Sequence, residues 1–224
     1  MVDWLIFAAV FGAFFVTHAI PVRPAVKAKI ASRTGARGFT FGYSALSLVM
    51  LGILIWSAGR APFVSLWQTT VWHKHVVLAG MLGVCMLLAM SVGRPNPFSF
   101  GGAQNHLFDP HHPGIIRWMR HPLLISLALW AGLHVLPNGN LAHVLMFGVF
   151  LGFALLGQRI IDKRKRRQMG DTAWRALLVT TKAAPFFQKP HKTRQAVIRS
   201  LAGLILWIAL MIAHPTIIGV SPLP

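Results

Sequence analysis

Long apolar stretches separated by short basic segments dominate this sequence. A helix that crosses the hydrocarbon core of a bilayer needs about 20 mainly apolar residues, and stretches of roughly that length recur along the chain. We predict six membrane-spanning helices, at residues 4–20, 39–58, 75–92, 122–136, 141–161 and 197–213. The sequence therefore predicts an all-α fold, a polytopic transmembrane helix bundle that has the lipid bilayer as its main partner.

The distribution of charge predicts the orientation of this bundle. The chain has 22 Lys and Arg, only 4 Asp and Glu, and a formal net charge of +18. All but two of the basic residues lie in the segments 21–38, 93–121 and 158–199, and the alternate loops contain only Arg60 and Lys74. Because basic residues concentrate in cytoplasmic loops, we expect six spans with both termini outside the cytoplasm.

The basic run DKRKRR at residues 162–167 has two readings. Basic clusters neutralise phosphates in nucleic acids, but this run directly follows the predicted fifth span, where basic residues favour anionic lipid and fix orientation. We favour the membrane reading and expect no nucleic acid partner. The single cysteine, Cys85, excludes an intramolecular disulfide and a CxxC-type site.

A histidine near the end of the first span is the first candidate for chemistry. Ionisable groups inside a bilayer are costly and are functional candidates by default. On a helix of about 100° per residue, Phe11 and Phe14 fall on the same face as His18. The first span therefore presents an imidazole beside large aromatic side chains.

The predicted fourth span has the same combination. Trp130 lies on the face of His134, and Arg120 lies at the foot of that face. Two neutral imidazoles on different apolar helices suit a haem held by two histidines, although a buried histidine bonded to a backbone carbonyl is the plainer reading. His121, about 140° around the helix from His134, is an alternative second ligand, and Arg120 is a candidate partner for a haem propionate or another anion.

The segment 94–114 is rich in Pro, Gly, Asn and His and is predicted to be a loop. Asp109, His106, His111 and His112 lie within it. These residue types bind metals, but a metal site also needs tetrahedral geometry and ordered second-shell partners. We do not predict a metal site from this loop.

Several short motifs in a fixed order resemble the NnrU family of bacterial integral membrane proteins. The resemblance covers roughly residues 1–178. Its motifs are His18, GARG at 35–38, NPFSFGG at 96–102, Asp109-Pro110, RHP at 120–122, WAGLH at 130–134, NG at 138–139 and GQRIIDKRKRR at 157–167. It implies a multi-pass protein of the bacterial inner membrane, associated with nitrogen-oxide respiration (denitrification) and with another membrane redox or denitrification component as a possible partner.

The sequence is also similar, more distantly, to the plant 15-cis-zeta-carotene isomerase. That resemblance implies a haem b held by two histidines, which match His18 and His134. The isomerase pattern has a cysteine three residues before the second histidine, where this chain has Ala131. The resemblance therefore does not extend to exchange of that ligand, and an isomerase activity is an alternative to a redox or sensing role.

Two further alternatives stay open. RHPLLIS at residues 120–126 resembles the motif that opens the S-adenosylmethionine pocket of isoprenylcysteine methyltransferases, but their paired glutamates are absent because the chain has no Glu. A haem-free scaffold or transport component would instead use the basic segment 158–199 to bind a partner. From these resemblances we expect residues 1–178 to form an NnrU-like membrane domain of five spans, followed by a basic segment and a sixth span at 179–224.

Overall fold

The computed structural model describes residues 1–189 and 193–224. The regular secondary structure of this part of the chain is helical, and its only β-type pairing is a single antiparallel bridge between Ser65 and Asn140. The α-helices are α1 (Val2–Ala19), α2 (Pro24–Arg60), α3 (Val71–Ser91), α4 (Pro122–Val135), α5 (Leu141–Met169), α6 (Asp171–Ala183) and α7 (Thr193–Ile218). The predicted all-α fold is confirmed.

Five of these helices are long and apolar enough to cross a membrane: α1, α2, α3, α5 and α7. The prediction that the chain is a polytopic membrane protein is confirmed by the length and composition of these five helices. The remaining predicted span corresponds to α4, which has 14 residues and at about 1.5 Å per residue is about 21 Å long. A bilayer core is about 30 Å thick, so a crossing by α4, and with it the total of six spans, stays a prediction, as does the orientation of the termini.

Helix α2 begins earlier than the sequence predicted. Pro24 occupies its first turn, where the missing N–H of proline costs nothing, and the helix continues through most of the segment 21–38 that we read as a loop. Gly35 interrupts it with φ 73° and ψ 164°, so that α2 consists of two helices joined at a kink. A side chain at this φ would be strained, which gives GARG at 35–38 a structural role.

Helix α6 was not predicted. The segment 158–199 was read as a basic loop, but α5 runs through its first part to Met169, and α6 follows after Gly170, whose φ is +83°. Trp174 of α6 buries its ring against Phe98 of the predicted loop and against Ile116, which follows that loop. The basic residues are therefore carried largely by helices, although one of those counted in this segment, Lys192, lies outside the described residues.

The chain forms two compact units. Unit 1 contains Met1–Trp67 and Gly139–Met146, and unit 2 contains Gln68–Asn138 and Phe147–Pro224. In unit 1, α1 packs against α2; in unit 2, α3 packs against both α4 and α7. The division between residues 178 and 179 that the resemblance implied stays a prediction.

Helices α3 and α7 of unit 2 come close together at Gly203, whereas the GxxxG pair of α5, Gly148 and Gly152, makes no such contact among the described residues. A Cβ on Gly203 of α7 would lie 3.0 Å from the Cα of Met86 in α3, whereas a Cβ on Gly148 or Gly152 would meet no atom within 4 Å among the described residues. The GxxxG spacing in α5 therefore does not mark a close helix contact within residues 1–189 and 193–224. The buried Cys85 lies at the α3–α7 contact.

Candidate functional site

His18 lies in the last turn of α1 and is surrounded by aromatic rings of unit 1. Its imidazole stacks on Phe14, with ring centroids 5.4 Å apart and planes 10° apart, and contacts Tyr43 of α2 at 5.4 Å. Nδ1 lies 3.4 Å from Oγ of Ser47. Its Nε2 makes no hydrogen bond with any residue that the structure describes. The predicted contact between Phe14 and His18 is therefore present.

The other contacts of His18 come from α2 and were missed by the sequence reasoning. Tyr43 donates a hydrogen bond from its hydroxyl to the backbone carbonyl of His18 at 3.0 Å. Phe39, Tyr43 and Ser47 are spaced by four residues and so share one face of a helix, a signal that was available in the sequence. Phe11, which we expected beside His18, stacks on Phe15 at 5.2 Å in the same run of rings.

His134 lies in the last turn of α4 in unit 2. Nδ1 lies 2.8 Å from the carbonyl oxygen of Trp130. Because a carbonyl only accepts hydrogen bonds, Nδ1 carries the proton and Nε2 keeps its lone pair. The ring also contacts Trp130 at 5.4 Å and Phe147 of α5 at 5.1 Å. Nε2 has no hydrogen-bond partner among residues 1–189 and 193–224.

This arrangement suits a histidine that binds a metal. Such histidines almost always donate their other ring N–H to a carbonyl, a carboxylate or water, which fixes the tautomer and orients the ring. His134 has this hydrogen bond, and both His18 and His134 have the large apolar neighbours that a porphyrin requires. The two histidines belong to different units, His18 to unit 1 and His134 to unit 2.

A polar network surrounds the start of α4. Arg120 forms a two-pronged ion pair with Asp162 of α5, with Nη2–Oδ2 and Nε–Oδ1 distances of 2.7 and 3.3 Å. His121, which is 2% exposed, lies between Asp162 and Ser99: Nε2 is 3.0 Å from Oδ1 of Asp162, and Nδ1 is 3.1 Å from Oγ of Ser99. Both ring nitrogens of His121 are therefore engaged.

Burial lowers the pKa of His121, although the neighbouring Asp162 carboxylate acts in the opposite direction. The imidazole of His121 is therefore favoured in its neutral form. With Nε2–H donated to the carboxylate, Nδ1 is left to accept the hydroxyl hydrogen of Ser99. This pattern joins α4, α5 and the segment 94–114 through a single side chain.

Asn96 connects the same network to the rest of its loop. Its amide nitrogen donates to the carbonyl of Arg120 at 2.9 Å, and its side-chain oxygen accepts the backbone N–H of Phe98 at 3.1 Å. Gly102 is required nearby because a Cβ there would lie 2.8 Å from the carbonyl oxygen of Arg94. The NPFSFGG motif at 96–102 is thus explained by the folding of this loop.

Trp174 covers the ion pair from α6. The guanidinium groups of Arg120 and Arg166 lie over its ring, 6.0 and 5.2 Å from the ring centroid. Its indole Nε1 is buried and has no hydrogen-bond partner in the described part of the chain. The indole therefore acts through packing and through its contacts with the two cations.

The network accounts for residues to which the sequence reasoning gave a ligand-binding role. Arg120 and His121 were expected to bind a propionate, another anion, haem iron or, in the methyltransferase alternative, S-adenosylmethionine. Both are bound to Asp162, which the sequence reasoning treated only as part of the basic run. The signal for its role was available, because Asp162 is one of only four acidic residues in the chain.

Two histidines of the 94–114 loop, His111 and His112, form a local turn with Asp109. Asp109 accepts hydrogen bonds from the backbone N–H of His111 and from Nδ1 of His112, at 2.8 and 2.7 Å. The hydrogen bond from His112 lowers the pKa of Asp109. Within residues 1–189 and 193–224, no group of three or more potential ligand side chains is placed to hold a metal ion.

Comparison with known proteins identifies the family. The model of the NnrU protein family matches residues 6–222. This match includes α7 and so extends well past residue 178, where the motif resemblance ended. Neither the curated proteins nor the solved structures gave a match. Because the family match covers nearly the whole chain and five helices are suited to a bilayer, this chain belongs to the NnrU family and is a membrane protein.

Proposed function

We propose that this protein binds haem b through His18 and His134 and that it has a redox or sensing role linked to nitrogen-oxide respiration in the bacterial inner membrane. The observation that carries the proposal is the hydrogen bond from Nδ1 of His134 to the carbonyl of Trp130. It fixes the tautomer in which Nε2 can donate its lone pair to iron. Of His121, just before α4, and His134, in its last turn, only His134 has a ring nitrogen without a hydrogen-bond partner among the described residues.

The neighbouring side chains support an apolar cofactor. Phe14 stacks on His18, while Trp130 and Phe147 contact His134. These rings would orient the imidazoles and exclude water from the coordinating nitrogens. Haem held by two histidines supplies one-electron transfer, with a potential set by its ligands and their burial.

Arg120 and His121 are left out of the proposed haem site. Asp162 already compensates the charge of Arg120 and holds Nε2 of His121. Using either residue for the cofactor would break a partly buried ion pair, which is costly. We therefore assign this pair to the folding of the protein and the coordination of iron to His18 and His134.

The proposed orientation places the basic ends of α5 and α7 in the cytoplasm and both termini outside it. It requires α4, together with the residues that flank it, to cross the membrane as the fourth of six spans. The positive-inside rule supports this arrangement, since nearly all Lys and Arg then lie on one side of the membrane.

The haem proposal is tested with protein purified in detergent after expression with added haem precursor. Wild-type protein is expected to show a low-spin b-type spectrum and about one haem per chain in a pyridine haemochrome assay. H18A and H134A should each lose the low-spin bands, whereas H143A, a matched change in α5, should keep them. A colourless wild-type protein, or a low-spin spectrum unchanged in H134A, would contradict the proposal and favour a haem-free scaffold.

A further inference from the structure

A cleft of about 790 Å³ opens in unit 2 on the side where α3 ends and α7 begins. Its walls are the last residues of α3, parts of the loop 93–118, the segment 185–189 and the first turns of α7. The haem proposal uses none of these residues. The cleft is lined by both charged and apolar side chains.

Arg94 lines this cleft with a guanidinium that has no protein partner in the described part of the chain. It is half-buried, yet its guanidinium makes no hydrogen bond or ion pair with any residue that the structure describes. Its terminal nitrogens lie beside Gly114, 4.0 Å from where a Cβ would be. A guanidinium has five N–H donors, and buried polar groups in folded proteins are nearly always satisfied. The donors of Arg94 are therefore left to water or to an acceptor bound in the cleft.

A second arginine raises the positive charge of the cleft. Nη1 of Arg199 donates to the carbonyl oxygens of Ala89 and Val92 at 2.7 and 2.8 Å, which anchors it at the end of α3. Burial, and next the positive charge of Arg199, lower the pKa of Arg94. The two half-buried guanidinium groups repel each other in the empty cleft. A bound anion would offset this repulsion, so the pair favours anion binding.

The other charges of the cleft do not cancel this preference. Lys189 adds a further cation at the edge. Asp109 also lines the cleft, but it already accepts hydrogen bonds from His111 and His112. Phe186 and Phe187 supply an apolar side and are both largely exposed.

We propose that this cleft binds a phosphate anion of the kind carried by acidic phospholipid headgroups, with Arg94 as its principal contact. The planar fork of arginine matches the oxygens of a phosphate. Basic pockets between membrane helices commonly bind acidic headgroups, and this cleft lies at the ends of two apolar helices, beside exposed phenylalanines. A soluble phosphate compound has the same binding chemistry and is the other possible source of the anion.

Binding is measured with the full-length protein in detergent, using fluorescently labelled phosphatidylglycerol and, for comparison, labelled phosphatidylcholine. R94Q is expected to weaken binding of phosphatidylglycerol by about tenfold or more, as for the loss of a hydrogen bond to a charged group. R167Q removes the same charge from the exposed end of α5 and should change the affinity less than about twofold, which is ordinary for an exposed charge.

Competition with inorganic phosphate distinguishes the two sources. Displacement of the labelled lipid by millimolar phosphate, in wild type but not in R94Q, would assign the cleft to a soluble phosphate compound. Displacement only by unlabelled phosphatidylglycerol would assign it to the lipid.

The proposal is overturned if R94Q binds phosphatidylglycerol as wild type does, or if R94Q and R167Q weaken binding equally, since diffuse attraction would then explain it. R94K tests the proposal even if R94Q does not fold. It keeps the charge but loses the planar fork, and it should bind phosphatidylglycerol with an affinity between those of wild type and R94Q. Wild-type affinity in a folded R94K would contradict the role of the fork.

Discussion

His121 and His134 lie at opposite ends of the same short helix, α4, but have different surroundings. His121, just before α4, has both ring nitrogens engaged, by Asp162 and by Ser99, and is 2% exposed. His134, in the last turn, uses only Nδ1, in a bond to the carbonyl of Trp130, and its ring also contacts Trp130 and Phe147. A histidine thus joins helices and a loop at one end of α4, and another histidine keeps a nitrogen available for coordination at the other end.

The difference comes from the partners. A carboxylate and a hydroxyl together can satisfy both nitrogens of a neutral imidazole, so the His121 end of α4 behaves as a closed polar network. A backbone carbonyl can satisfy only one nitrogen, and the rings of Trp130 and Phe147 offer the other no acceptor. Changes near His121 should therefore affect stability, whereas changes at His134 should affect ligand binding.

The largest expected effect on stability is at Trp174, which covers the network at the His121 end. W174A should lower the free energy of unfolding by about 3–5 kcal/mol, as in other large-to-small core substitutions. W174F keeps a ring and removes an indole N–H that has no partner in the described chain, so its loss should be less than half as large. Denaturant unfolding of the purified protein measures both, and equal losses would show that packing of the ring is not what matters.

The next effect is at the ion pair. D162N leaves Arg120 and His121 without their charged partner, and we expect a loss of about 2–4 kcal/mol, which is lower than for fully buried pairs because Arg120 and Asp162 are 30% and 20% exposed. D171N removes an exposed carboxylate paired with Arg166 and Arg175 and serves as the control. If D162N and D171N shift the unfolding midpoint equally, the network at α4 has no special structural role.

A smaller effect on stability is expected when the pH is lowered. Burial lowers the pKa of His121 in the folded protein below its ordinary value of 6.5, so the unfolded chain binds the proton more readily. The stability that neutral His121 contributes is complete above about pH 6.5 and declines as the pH falls below that value. Melting temperatures measured from pH 7.5 to 5.0 should decline less steeply in H121Q than in wild type, and parallel curves would contradict this assignment.

The apolar helices were predictable because length and composition alone determine whether a helix can cross a bilayer. Their ends were less predictable. Pro24 and Gly35 mark where α2 begins and bends, but the basic residues between them suggested a loop. The run 162–167 was likewise read as a basic tail, although α5 continues through it to Met169.

The polar network could not be predicted from sequence because its partners are distant along the chain. Arg120 and Asp162 are 42 residues apart, and Asn96 reaches Arg120 across 24. Helix α6 was missed for the same reason, since Trp174 on its apolar face packs against Phe98, which is 76 residues away along the chain. In contrast, the pairing of Phe14 with His18 and of Trp130 with His134 follows from spacing on single helices, and the sequence predicted both.

The most direct test of the account is a comparison of H121Q and H134Q, expressed with haem precursor and measured by the reduced-minus-oxidised spectrum and by thermal unfolding. We predict that H134Q loses the low-spin b-type bands. Its melting temperature should be close to that of wild-type protein without haem. H121Q should keep those bands and unfold at a clearly lower temperature. Loss of the bands in H121Q together with their retention in H134Q would contradict the account and move the coordinating role to the other end of α4.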